Sequence, residues 1–297
     1  MLREKVWRDL LGYAISDTRP KILTPEEFDA YEGMKKQIEE DHAKGFYPTY
    51  EIPTDLPEHG VKFTFSGYPS HEGVSVEEAL CFSVIAEEIN RFYERHNLNF
   101  EDGSVNISWD PFAKALCLNR SAFPSSIKMA IISQPGIEEI IRQLSYGITA
   151  CLIKNYEDER GNGKIEDLLC RVMELVLLGH FKRNWDSIGV KLADNDADTQ
   201  KDIASLIQQI KLGDSVLQVV ETAEEQDGCK GKNIYSIMEE SKIQHAEAMK
   251  MFKVFKIVDL VPMIQIRAYM KNDGTLMPDW LIRNYPDSAL IHELINA

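Results

Sequence analysis

The chain has 297 residues, 44% of them hydrophobic and 27% charged, which is enough for a sizeable core and excludes general disorder. Its 48 Asp and Glu against 33 Lys and Arg give a formal charge of -15, a field that repels phosphate backbones and anionic lipid surfaces. The five cysteines, Cys81, Cys117, Cys151, Cys170 and Cys229, contain no CxxC pair, the charged start Met1-Leu-Arg-Glu-Lys5 is not a secretory signal, and no apolar run reaches the ~18 residues of a membrane span. A reducing, cytoplasmic setting without disulfides, zinc or a membrane is the expectation.

Leu2, Val6, Trp7, Leu10, Leu11 and Ala14 form an apolar stripe that predicts a first helix. Thr24-Pro-Glu-Glu27 is a capping box that opens a second, highly charged helix ending near Gly45. From there to Gly73 glycines and prolines break the pattern, and Val61, Phe63 and Phe65 alternate with polar neighbours as a half-buried strand does. A second capping box, Ser75-Val-Glu-Glu78, predicts a helix with Ile85, Ile89, Phe92 and Tyr93 inward. Val105, Ile107 and Trp109 alternate as another strand.

From Ser133 onward the period is helical. One helix carries Ile137, Ile140, Ile141, Leu144, Ile148, Cys151 and Leu152 on one face. The next is apolar nearly all round between Leu168 and Leu178, interrupted only by Arg171 and Glu174, and is expected at the centre of the C-terminal half. Further helices are expected around Ile203–Ile210, Val216–Val220, Ile234–Phe255 and, on either side of Pro286, from Trp280 to Ile295. The fold class is therefore α+β and predominantly helical. A small N-terminal sheet, with strands near 60–66 and 104–109, is packed with helices over 1–132, and an all-helical part follows over 133–297, the two forming separate units or one continuous domain.

No chemical motif is complete, so no cofactor is expected. Asp194, Asp196 and Asp198 match the opening of a calcium loop. The loop then lacks its glycine, where Thr199 stands, and its closing glutamate, where Ser205 stands. The preferred reading is a helix start capped by Asp198 or Thr199. Gly161-Asn-Gly-Lys164 lacks the rest of a phosphate loop, Ser70-His71-Glu72 lacks a nucleophile turn, and Glu39-x-x-His42 lacks the second copy a di-iron bundle needs. His96, His180 and His245 lie on apolar stripes and are the candidate acid–base residues. Two basic and aromatic patches, Lys182, Arg183 and Trp185, and Lys250, Lys253 and Lys256 beside Phe252 and Phe255, are candidates for anion or single-strand binding.

The preferred function is a non-catalytic protein-interaction or regulatory protein, able to self-assemble. One alternative is an enzyme with a pocket between the halves, using a histidine and carboxylates. The other is a single-stranded nucleic-acid binder.

Overall fold

The computed structural model describes residues 13–15, 36–37, 40–41, 43–45, 49–52, 61–66, 76–100, 105–110, 116–119, 125–130, 137–153, 163–188, 190–192, 196–212, 219–221, 246–271 and 275–296. They form a predominantly helical α+β fold. Strands β2 (Thr49–Ile52), β3 (Val61–Ser66), β4 (Val105–Asp110), β5 (Leu116–Asn119), β6 (Ser125–Ala130) and β8 (Val219–Glu221) make one sheet in the order β2-β3-β4-β6-β5-β8. The two strands expected from alternation are β3 and β4. They pair in parallel, Val61 opposite Val105 and Phe65 opposite Trp109. A parallel pair needs a crossover, and helix α1 (Val76–Glu94) supplies it.

Helix α1 begins one residue after Ser75, as the capping box predicts. It ends in a Schellman motif. Asn97 adopts a left-handed φ of 58°, the Leu98 amide donates to the Tyr93 carbonyl and the Asn97 amide to the Glu94 carbonyl. The buried Leu98 then packs under the turn with Phe92 and Tyr93. The charged helix expected to end near Gly45 has helical residues between 36 and 43, and Gly45 follows with φ 76°. Glycine is suited to that left-handed stop.

Helices α2 (Ile137–Ile153) and α3 (Gly163–Ile188) pack side by side, and α2 also lies on the sheet. At Gly147 the approach leaves little room for a side chain, since a Cβ would lie 3.0 Å from Ile127 Cγ2 on β6. Every residue from Leu168 to Leu178 is buried, in keeping with the absence of a polar face. Helix α4 (Asp196–Leu212) covers both, with Ile203, Leu206 and Ile210 inward. One apolar cluster runs from Ile85 through β4, β6, α2 and α3 to Leu294. Residues 246–254 form helix α5, followed by α6 (Leu260–Ile264), α7 (Pro278–Asn284) and α8 (Ala289–Asn296), the last two flanking Pro286 as expected.

Three local expectations are corrected. The part after residue 133 is not all helical, because β8 extends the sheet by pairing in parallel with β5. Val220, placed on a helix by its apolar neighbours, lies in that strand. Ala14, placed on the first helix, lies in β1 (Tyr13–Ile15), which pairs antiparallel with β7 (Val190–Leu192). All three strands involved are three residues long, too short for a two-residue period to stand out from helical spacing. Residues 1–12 lie outside the described residues.

Candidate functional site

Among the described residues, a cluster of buried and half-buried polar side chains forms a seam between α2 and α3. The Arg142 guanidinium donates from Nε to the Glu174 carboxylate and from Nη1 to Glu139 Oε2 at 3.1 Å. Glu139 Oε1 also accepts from Gln143 Nε2 at 3.3 Å. About a turn away, Tyr146 donates its hydroxyl to Asp167 Oδ1 at 2.5 Å, and Arg171 Nε donates to Asp167 Oδ2 at 2.8 Å. Arg142, Glu174 and Arg171 are all buried. Burial pushes the Glu174 carboxyl above the ordinary carboxylate range, with Arg142 and Arg171 pulling the other way. Burial and then the Asp167 charge push the Tyr146 phenol well up. The seam holds opposite charges in mutual contact. Its chemistry is therefore register and pairing of two helices, with its donors and acceptors turned on one another. Its sequence clue was the pair Arg171 and Glu174, the two charges inside an otherwise apolar helix. Arg142, on the other helix, carried no comparable mark.

A second set of contacts brings a candidate histidine to a carboxylate. His180 Nε2 lies 3.1 Å from Glu88 Oε1, and His180 Nδ1 lies 3.2 Å from Asn184 Nδ2. A carboxylate only accepts, so Nε2 carries the proton and Nδ1 accepts from the Asn184 amide. Asn184 Nδ2 also donates to the His180 carbonyl at 2.9 Å. Glu88 is shared with Arg95, 3.5 Å away, and the Phe92 ring meets both His180 and His96 in T-shaped contacts. The arrangement fixes the tautomer and orientation of the imidazole, but it occupies both ring nitrogens. A general base needs one of them open to a substrate, so the contacts suit a helix-to-helix clamp between α1 and α3.

The remaining predicted positions separate. His96 is half-buried at the end of α1, and His245 lies outside the described residues. Lys182 and Arg183 are exposed on α3, whereas Trp185, 1% exposed, packs with Phe181 in the core and offers no face to a base. Lys250, Lys253 and Lys256 are exposed, and the half-buried Phe252 beside them lies under Lys211 Nζ, 5.9 Å from its ring centre. Asp194 lies outside the described residues. Asp196 and Asp198 belong to the first turn of α4, whose start at Asp196 moves the cap upstream of the expected Asp198 or Thr199. Among the described residues no group of three or more His, Cys, Asp or Glu converges as a metal site, and no helix is long and apolar enough to cross a membrane. Cys151 and Cys170 are buried thiols outside any disulfide.

No protein-family model, no curated protein and no solved structure matches this chain.

Proposed function

We propose that this chain is a non-catalytic protein-interaction protein whose contact surface lies on its C-terminal segment. The observation that carries this reading is the distribution of exposed apolar side chains. Among the described residues, four of the five large ones, Ile257, Val258, Trp280 and Ile282, fall between 257 and 282, and Val258 is 74% exposed and Trp280 58%. Exposed aromatic and aliphatic side chains concentrated in one segment are characteristic of surfaces that bury area against a partner. The interior polar groups support the same reading, since the carboxylates and cations of the α2–α3 seam and the His180 contacts serve packing between helices.

The test is solution mass together with cross-linked partner capture by the full chain, wild type and V258S/W280S. Captured partner or self-association that falls in the variant, with an unchanged melting temperature, supports the reading. A wild-type monomer that captures nothing overturns it, and turnover of a substrate would put an enzyme in its place.

A further inference from the structure

We infer that residues 250–258 form a docking strip for an acidic, amphipathic segment of a partner protein, an inference that rests on the interaction reading above and gives that partner its chemistry. The strip contains Lys250, Lys253 and Lys256 and no acidic residue, in a chain whose formal charge is -15. All three lysines are exposed, and among the described residues none of them makes an ion pair. By contrast Lys36 pairs with Glu40 and Lys164 with Glu247. Asp259, which follows the strip, is buried. It accepts from the Lys256 amide at 2.7 Å and from Ser288 Oγ at 2.6 Å, so its oxygens are turned toward the fold. Ile257 and Val258, 47% and 74% exposed, stand directly after the last lysine. A row of cations that ends in exposed apolar residues is the complement of a segment that combines Asp or Glu with Leu or Ile.

The same lysines do not favour an extended polyanion. A nucleic acid or an anionic membrane would meet the acidic remainder of the surface beyond about 8 Å, the reach of an unscreened charge, whereas a short peptide touches the strip alone. Stacking is also poorly served, because the Phe252 ring lies beneath Lys211.

The test selects displayed random peptides on the full wild-type chain and counter-selects on K250E/K253E/K256E, with K250Q/K253Q/K256Q as a second variant should the first fail to fold. The expected result is enrichment of peptides that combine Asp or Glu with Leu, Ile or Phe. They should bind the lysine variants and V258S roughly tenfold more weakly and lose affinity as salt rises. Enrichment without acidic residues, or equal binding to wild type and lysine variants, overturns the inference. So does tighter, lysine-dependent binding of phosphatidylserine vesicles or oligo-dT, or a wild-type dimer that the lysine substitutions dissociate. If cross-linked partner capture persists in the lysine variants, the strip fails and the interaction reading stands. If the wild-type chain stays monomeric and captures nothing, both fail.

Discussion

The α2–α3 seam and the 250–258 strip treat charge in opposite ways. In the seam Arg142, Arg171, Glu174, Asp167 and Glu139 are in contact with one another, largely out of water. In the strip three lysines stand in water without carboxylate partners among the described residues. A buried charge must be matched because desolvation costs several kcal/mol per ion, while a solvated one is free to meet a partner later. The difference separates what holds this fold together from what is available for binding.

The largest expected effect tests the first half of that contrast. Replacing Glu174 by Ala removes the buried partner of Arg142 on α3 and leaves it Glu139 on its own helix, which should cost about 3 kcal/mol, read as a fall in the urea midpoint. The double substitution R142M/E174L removes both charges and should recover most of the loss. A single variant close to wild type would mean the seam is hydrated. Tyr146→Phe removes one hydroxyl donor from Asp167, which keeps Arg171, and should cost a smaller amount, about 1.5–3 kcal/mol. At the strip the expectation reverses. Each of Lys250→Gln, Lys253→Gln and Lys256→Gln should change stability by less than about 0.5 kcal/mol, since an exposed unpaired lysine contributes little to folding, while binding changes. A large loss of stability there would erase the distinction between the two regions.

How far the sequence disclosed these regions depended on the length and purity of its patterns. Helix α2 was visible because its seven apolar positions fit a helical period, and α3 because the largely apolar run Leu168–Leu178 is too long for a strand. Strands β3 and β4 were visible by alternation. Strand β6 also alternates, with Ser125, Ile127 and Met129 buried and Lys128 exposed, but two serines and the preceding Pro124 weaken the signal. Strands β5 and β8 were hidden by their lengths of four and three residues, and their pairing also by their separation in sequence. The lysines of the strip were legible as a patch. Whether the aromatics between them were surface or core was not, because that depends on Lys211 from another helix. His180 was singled out from its apolar stripe, yet Glu88, 92 residues away in sequence, could be joined to it only by the packing of α1 on α3.

The smallest expected effect is at Glu138, in the first turn of α2. Its carboxyl is half-buried and is raised above the usual range by burial first and then by repulsion from Asp202 and Glu139, against a backbone hydrogen bond that lowers it. A raised carboxyl holds its proton more tightly in the folded chain than in the unfolded one. Its stabilising contribution is therefore complete below the ordinary value of 4.5 and is lost as pH rises through the raised value, so at neutral pH the ionised group costs stability. Glu138→Gln should then be the more stable protein at pH 7, by less than about 0.5 kcal/mol given the solvent around the group, and the advantage should shrink to nothing as pH falls below the ordinary carboxylate range. Urea midpoints at neutral and acidic pH read the difference. Asp202→Asn should produce part of the same gain, and the double variant should gain less than the sum, because the two share one repulsion. Equal midpoints at every pH would place Glu138 with the solvated lysines, and the boundary between matched and free charge would then fall inside the first turn of α2.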